Sequence, residues 1–582
     1  MPISSLYLHS RSAAKPLRIG VLVDGFRITR ACRQVLLDVQ ASNFARLELV
    51  VVNRPAHAVP AASQRNLSRR LRLLADARFR RQFLYGLYNK LDEHYVRHPN
   101  PLEEVDASDV LGGVARLDVT PVAQRFVHRF PPDALAAVRA FDLDVLLRFG
   151  FNILRGEILA GARYGIWSYH HGDNDSYRGG PALFWEMVED NPCSGAVLQV
   201  LDEKLDRGQV LCKSAYSTVR GLSRNRNAFN PYWGSTHFVI RKLHELHECG
   251  WEAVKEHAPP PEPYRGKAEI YRAPGNAEML KWLAPAIGRK LIASPFRRDT
   301  MDHWRIRLGR ASSSRLATGG APDARVHRWL PSPPGHFYAD PFLLERQGQL
   351  WIFFEDYGYA ENRGRIACAP VQSDLSIGPV TALLDLPYHV SYPFVFPHAG
   401  EVYLIPESAC NESVDLYRAT AFPFSWKLEK TLFRECAVDT TALLHDGRWY
   451  FFTALCEPPH NAAFAALFSA GELTGDWVLH PSSPVSTDVR NARSAGRIQK
   501  LGGRLFRPVQ DCGERYGRRI HVEEILELTP STYRQRRLYS IEPDWEKGLQ
   551  GAHTYDFCAG IEALDAVSPL KRGKNAPAAR AR

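Results

Sequence analysis

No C-x-x-C pair occurs anywhere in this 582-residue sequence; its ten cysteines stand singly, at 32, 193, 212, 249, 368, 410, 436, 456, 512 and 558. That spacing excludes a compact disulfide framework and fits reduced thiols. No stretch approaches the length of a membrane-spanning helix, and the opening MPISSLYLHSRSAAKPLRIG lacks the apolar core of a secretory signal. A soluble, cytoplasmic protein is the expectation. The formal net charge is +11, yet no recognised nucleic-acid motif accompanies it and the arginines are scattered, so no nucleic-acid partner is expected. The densest cluster, with Arg69, Arg70, Arg72, Arg78, Arg80 and Arg81, reads as a solvated helix face, the alternatives being a site for an acidic substrate, a membrane surface or RNA. Residues 571–582 read as a disordered basic tail.

With 45% hydrophobic and 24% charged residues, the chain has the composition of a folded protein, and its length calls for more than one domain. The apolar runs at 17–23 (LRIGVLV) and 47–52 (LELVVV) flank a helical segment that extends to about residue 42. This β-α-β opening predicts a parallel sheet. Residues 60–100 read as helices, and 142–147 and 166–169 as buried strands. Residues 195–201 and 208–214 form a strand pair whose turn contains Asp206. In open α/β sheets functional groups gather beyond the strand ends, where His170 and Asp206 both fall. Helical spacing over 238–256 ends at Pro259-Pro260-Pro261.

Beyond about residue 320 helical periodicity gives way to short strands, aromatics and turns. A unit of about 50 residues recurs, beginning at Ala339-Asp340-Pro341, Ser391-Tyr392-Pro393, Val438-Asp439-Thr440 and Ser494-Ala495-Gly496. Each unit has room for four strands, which is the requirement of a propeller blade. Four clear blades imply a fifth, expected to close through 522–528 together with a strand from about 304–308. The fold class is therefore multidomain, an α/β Rossmann-like domain plus an all-β five-bladed propeller. The expected divisions are 15–257 for the α/β domain, 258–320 for a linker with one helix, 321–560 for the propeller and 561–582 for the tail.

Several motifs in the first half carry a family resemblance. Phe149-Gly150-Phe151, Ser168-Tyr169-His170, Tyr177-Arg178-Gly179-Gly180-Pro181 and the segment 201–208 (LDEKLDRG) resemble, in order and spacing, the formyltransferase family that includes methionyl-tRNA and sugar-nucleotide N-formyltransferases. The resemblance implies 10-formyltetrahydrofolate as co-substrate, with His170 polarising the formyl group and Asp206 orienting it and assisting proton transfer. Phe149, Gly150, Phe151, Tyr177, Arg178 and Gly179 fall at its cofactor-binding positions. Ser168 takes the position of the family's asparagine, and a missing aimed donor costs about two to three orders of magnitude in rate. A second departure is His171-Gly172-Asp173-Asn174-Asp175, whose carboxylates either receive a cationic amine or cap the following helix. A metal site there is not expected, because adjacent residues of an extended strand point to opposite faces. The basic barrel that follows in methionyl-tRNA formyltransferases is replaced by a propeller, so an amino sugar or glycan is the expected substrate.

In the second half, Asp340, Glu407 and Asp439 resemble the carboxylate set of furanosidase-type five-bladed glycoside hydrolases. The wider pattern from 339 to about 551 is similar to the N-terminal domain of plant glucosamine inositolphosphorylceramide transferases. Glycoside hydrolysis uses two carboxyl groups, one of them with a raised pKa. Beside them, His389, Tyr392, Arg493, Arg497, Gln510, Asp511 and His553 suit sugar hydroxyls or a phosphate. The alternative is that Asp340 and Asp439 make turn and strand-end hydrogen bonds. Trp351, Tyr403 and Trp449 sit at strand spacing and are expected in the core.

Overall fold

A computed structural model describes residues 2–54, 80–296, 300–320, 327–457 and 460–571. The chain forms two compact units, the first over residues 2–295 and the second from 296 onward. Most of the basic cluster at 68–81, and the tail 572–582, lie outside the described residues.

In the first unit, β1 (Leu17–Val23) and β2 (Ala45–Asn53) are joined through α1 (Arg30–Ala41), whose N-terminus is capped by the Thr29 hydroxyl accepting from the Cys32 amide. Near-continuous apolar strands suit a parallel sheet covered on both faces, and β1 and β2 pair in parallel. Alternation divides β1 between two cores. Val21 and Val23 pack with Leu36 of α1, whereas Leu22 joins Leu135 and Val138 of α2 (Pro132–Arg139) on the other face. With β3 (Ala115–Val119), β4 (Val145–Arg148), β5 (Ile166–His170), β6 (Cys193–Val200) and β7 (Gln209–Ser217), the sheet order is β7-β6-β5-β4-β1-β2-β3. Five neighbouring strands pair in parallel, and at one side β6 runs against them and β7 pairs antiparallel with β6.

The short helix α3 (Trp185–Val188) follows the 177–184 loop, and α4 (His237–Glu256) covers β5, with Phe238 stacked on Tyr169. Residues 258–275, expected as linker, pack on the unit instead. Tyr271 stacks at an angle on Tyr177 and Trp185, and Tyr264 lies under the Arg178 guanidinium. Aromatics anchor a segment whose prolines had suggested a spacer. Then α5 (Asn276–Phe296) packs Met279 and Trp282 against Tyr88 and Phe184.

The second unit is five all-β sheets. The first contains β8 (Thr300–Arg310) and β9 (His327–Trp329). The next comprises β10 (His336–Arg346), β11 (Gln349–Gly358), β12 (Arg363–Pro370) and β13 (Thr381–Leu384). A third holds β14 (Ser391–His398), β15 (Glu401–Glu407), β16 (Val414–Ala421) and β17 (Ser425–Phe433). The fourth holds β18 (Ala437–His445), β19 (Arg448–Glu457), β20 (His460–Ala470) and β21 (Val478–Leu479). The fifth is β22 (Arg493–Ser494), β23 (Gln499–Leu501), β24 (Arg504–Asp511), β25 (Arg519–Leu528) and β26 (Tyr533–Ile541). The chain then returns to the first sheet with β27 (Tyr555–Cys558) and β28 (Ile561–Lys571).

Successive sheets touch through β8 and β27 with β10, β10 with β14, β14 with β18, and β18 with β22, and a bridge from Gly496 to Tyr555 returns the fifth sheet to the first. The result is a propeller-like ring closed by its two ends. The closure differs from the expected one: β25 lies inside the fifth sheet, and β8 pairs antiparallel along its length with β28, Thr300 opposite Lys571 and Arg310 opposite Ile561. Residues 561–571 are thus a strand, buried over 561–567, rather than tail. Its acids disguised it: Glu562 pairs with Arg307 and Arg315, and Asp565 with His553, so charges that suggest a solvated segment are neutralised inside.

The repeat has a geometric cause. Asp340, Tyr392 and Asp439 each adopt positive φ (54°, 45° and 53°), and at each the pairing with the next strand slips, between Ala339 and Phe342, Ser391 and Phe394, and Val438 and Thr441. The recurring motif is a β-bulge that turns one side chain out of the ladder.

Candidate functional sites

At the C-terminal end of the parallel strands, alternation along β5 puts Ser168 and His170 on one face and Tyr169 on the other, where its hydroxyl donates to the Ser235 carbonyl. Asp206, at positive φ in the turn between β6 and β7, brings its Oδ1 to 3.4 Å from His170 Nδ1. The second ring nitrogen, Nε2, lies 2.7 Å from the Tyr177 carbonyl, and Asp206 Oδ2 accepts from the Gly179 amide at 2.9 Å. Burial alone would depress the His170 pKa, but the Asp206 carboxylate and the Tyr177 carbonyl outweigh it and raise the pKa above the ordinary range. Burial works in the opposite sense on Asp206, and His170 with the Gly179 amide holds it below the usual carboxylate range. Both ring nitrogens thus face acceptors, an arrangement that favours the protonated imidazole beside an ionised carboxylate.

Ser168 Oγ accepts from Arg148 Nη1 at 3.1 Å and lies 3.3 Å from the Tyr169 carbonyl. Phe151, at φ 62°, is buried against Phe130 and His128. Gly150 is required because a Cβ there would run into the backbone of Val23 and Asp24. Phe149 packs at the margin of the α1 core. The Tyr177 hydroxyl reaches Glu189 and Asn191, and Arg178 Nε donates to the Asn174 carbonyl. Tyr177 and Gly179 meet the His170–Asp206 pair through their backbones. Gly179 sits at φ 87°, where a Cβ would collide with the Tyr271 carbonyl.

The carboxylates of the acidic loop face an amine of this chain, Lys213, and cap no helix among the described residues. Asp173 and Asp175 are both paired to Lys213, and the Asp173 side chain also accepts from the Asp175 amide and the Ser176 hydroxyl, closing a turn with no helix behind it. His171 is stacked face to face on Tyr232 at 3.5 Å and, driven by burial, has its pKa pushed down to about 3.

In the second unit the inner ends of the sheets gather a second cluster. Asp340 Oδ1 accepts from the Thr554 hydroxyl at 2.8 Å and Oδ2 from the Tyr392 amide at 3.2 Å. His553 stands between two acids, 3.5 Å from Asp340 and 2.6 Å from Asp565, with Trp304 stacked on its ring. Across the cluster Asp439 Oδ2 accepts from Arg493 Nε at 2.6 Å and Gln510 Nε2 at 2.9 Å, and the Asp439 amide donates to Glu407 at 3.3 Å. Tyr516 closes over Arg493 and meets His553 edge-on.

Burial, opposed by His553 and reinforced by Asp565 and Asp439, pushes the Asp340 carboxyl up to about 6. Burial with Asp439 beside it pushes Glu407 well above the usual range despite Arg493. His553, which burial would depress, is held up to about 9 by Asp565 and Asp340. Among the described residues, Asp340, His553 and Asp565 are the one group of buried donors close enough together to hold a metal ion. Here the His553 imidazolium already supplies a positive charge between the two acids.

The remaining polar residues do different work. Arg497 is a staple, bonding Asp556 of the first sheet, the Leu343 carbonyl of the second and the Val395 carbonyl of the third. Tyr392 is buried and links Thr441 to Gly496. Asp511 pairs with His521 and Arg519, and His389 accepts from the Gly364 amide. Trp449 is buried as expected, with Trp351 and Tyr403 partly so.

Sequence reasoning passed over Arg148, Glu186, Thr554 and Asp565. The signal for Arg148 was an arginine ending the otherwise apolar run of β4. Glu186 is buried with neither carboxyl oxygen hydrogen-bonded to a described residue, and burial pushes it up to about 7. Nothing in its local sequence marks it, since it is brought beside His170 only by the 177–184 loop.

Residues 286–555 match the family model described as glucosamine inositolphosphorylceramide transferase 1, N-terminal. The Arabidopsis thaliana glucosamine inositolphosphorylceramide transferase 1 is 36% identical over 212 residues, which cover 35% of this chain and 27% of that protein. The chain therefore spans just over a quarter of the length of this curated relative. Among solved structures, glycinamide ribonucleotide transformylase 1 from Symbiobacterium toebii aligns at 15% identity over 40% of this chain and 87% of its own, with a TM-score of 0.25. An exo-beta-1,3-galactanase from Clostridium thermocellum aligns at 14% identity over 40% and 53%, with a TM-score of 0.29.

Proposed function

We propose that the α/β unit transfers a formyl group from 10-formyltetrahydrofolate to the amino group of a sugar, and that the second unit is a five-bladed propeller that binds glycan. The observation that supports the transfer reading is the His170–Asp206 pair, 3.4 Å apart at the strand ends with Ser168 on the same face. The folate co-substrate supplies an activated formyl group. This chain's residues supply the proton traffic: Asp206 takes the proton that the amine loses, and the His170 imidazolium delivers one to the departing nitrogen, so no net proton is consumed. Because the Tyr177 carbonyl occupies His170 Nε2, substrate has to displace that contact to reach the ring. The curated relative carries an amino sugar, glucosamine, in its name, which makes amino sugars and their nucleotide-linked forms the first acceptors to test. Purified protein with 10-formyltetrahydrofolate and an amino-sugar panel is expected to release tetrahydrofolate and formylated sugar. His170→Ala is expected to lower kcat by at least about a thousandfold. No folate turnover, or turnover untouched by His170→Ala, rejects the reading.

A second reading has its own support. Glu407 and Asp340, both pushed above the usual carboxylate range by burial, stand beside the Arg493-paired Asp439, which supports the raised-pKa carboxyl that glycoside chemistry requires. It predicts cleavage or transfer on furanoside or related glycosides that is abolished by Asp340→Asn. Activity that survives this substitution removes Asp340 from the role.

A further inference from the structure

Ser168 is paired in register with Arg148 across β5 and β4, so the two side chains leave the sheet side by side on one face. The long side chain spans what the short one cannot. Arg148 Nη1 donates to Ser168 Oγ at 3.1 Å, and Nη2 donates to the Phe151 and Asn152 carbonyls at 3.0 and 3.1 Å. Its Nε is buried without a hydrogen-bond partner among the described residues, and the Asp206 and Asp24 carboxylates lie within electrostatic reach. A guanidinium never surrenders its charge in a protein, so this group is a permanent cation one hydrogen bond from the position where the family resemblance implies an amide donor.

We propose that Arg148 and Ser168 act as one unit that stabilises a negatively charged oxygen at the His170 site, the guanidinium supplying charge and the hydroxyl supplying aim. A hydroxyl that accepts from a cation is a stronger donor in turn. The present acceptor of Ser168, the Tyr169 carbonyl at 3.3 Å, is distant enough to be exchanged for a better one. The proposal rests on the formyl-transfer reading. As the amine nitrogen bonds to the formyl carbon, the carbonyl electron pair moves onto oxygen, which Ser168 contacts. When the bond to the folate nitrogen breaks, that pair re-forms the carbonyl, the amine proton passes to Asp206, and the leaving nitrogen takes the proton of His170. Arg148 is the positioning residue of this set, polarising and orienting Ser168.

The test is steady-state formyl transfer by the full-length protein and the variants Arg148→Met, Arg148→Lys, Ser168→Ala and the Arg148→Met/Ser168→Ala double. Arg148→Met and Ser168→Ala are each expected to lower kcat about 10²–10³-fold with KM for both substrates nearly unchanged. The double variant is expected to fall within about threefold of Arg148→Met, because groups that act as a unit are lost together. Arg148→Lys, which keeps charge without the fork, is expected to fall between wild type and Arg148→Met. A rise in the folate KM with kcat intact in Arg148→Met would mean that Arg148 only holds the 149–152 loop, and the proposal fails. It fails equally if the two losses multiply, or if Ser168→Ala keeps full kcat, an arm that stands even should Arg148→Met unfold. A wild-type protein without formyl transfer rejects the underlying reading and this unit with it. An active wild type with an indifferent Ser168 rejects the unit alone.

Discussion

At the scale of single residues, burial decides protonation in both units, and a partner decides which way. His553 and Glu186 are both buried; two flanking acids hold the first up against its burial, whereas for the second burial itself raises the pKa and outweighs the opposing pull of His170. His553 makes the clearest pH prediction. Its folded pKa of about 9 exceeds the unfolded value of 6.5, so the folded state holds a proton that the unfolded state has already released across that window. The stabilisation is complete below about pH 6.5 and is lost as pH rises through 9, amounting to about 3 kcal/mol. Chemical denaturation of the second unit is expected to show falling stability from pH 6.5 to 9, and His553→Gln to flatten that slope. An unchanged slope in the variant would assign the protons elsewhere.

Elements position these groups by means that are local in sequence only in part. Alternation along β5 is legible from residues 166–170, and it alone fixes Ser168 and His170 on one face. The arrival of Asp206 depends on the antiparallel return of β6 and β7, and the loop that closes on both depends on Gly179. At φ 87°, with the Tyr271 carbonyl where a Cβ would go, Gly179 presents its amide to Asp206. Gly179→Ala is expected to destabilise the loop by about 1–3 kcal/mol and to weaken any activity that depends on the His170–Asp206 pair. The readouts are an increased rate of amide hydrogen exchange at 177–184 and a reduced kcat, with the remainder of the first unit unaffected. Exchange equal to wild type would show that the loop accommodates the side chain. The repeated bulge belongs to this scale as well: the 50-residue period was visible because Asp340, Tyr392 and Asp439 all need the same turn of backbone.

For the whole second unit, the consequential feature is how the ring is held at its axis. Arg497, from the fifth sheet, bonds groups in the first, second and third, and Asp556 beneath it is fully buried. Removing the arginine leaves a buried carboxylate without its countercharge, a loss of about 3–5 kcal/mol. Arg497→Met is therefore expected to lower the Tm of the second unit markedly, and Arg497→Met/Asp556→Asn to recover part of the loss. Equal stability of wild type and Arg497→Met would mean that the staple adds nothing to closure.

The sequence by itself determined what depends on neighbours along the chain: the β-α-β opening, the strand pair around Asp206, the helix at 238–256, and the bulge repeat that announces the ring. It also singled out Ser168, His170 and Asp206, and Asp340, Glu407 and Asp439, through the family resemblances that their motifs carry. Tertiary structure alone decided the rest. Strand β28 escaped notice because its acids are neutralised by Arg307, Arg315 and His553, which lie at great sequence distance or across a turn. Arg148 escaped because its meaning lies in the register of β4 against β5. The carboxylates of Asp173 and Asp175 look available until Lys213 is folded onto them. In each case a charge was legible and its partner was not, since an ion pair or a shared hydrogen bond is fixed by distance in space, and chain order carries that distance only where the backbone is regular.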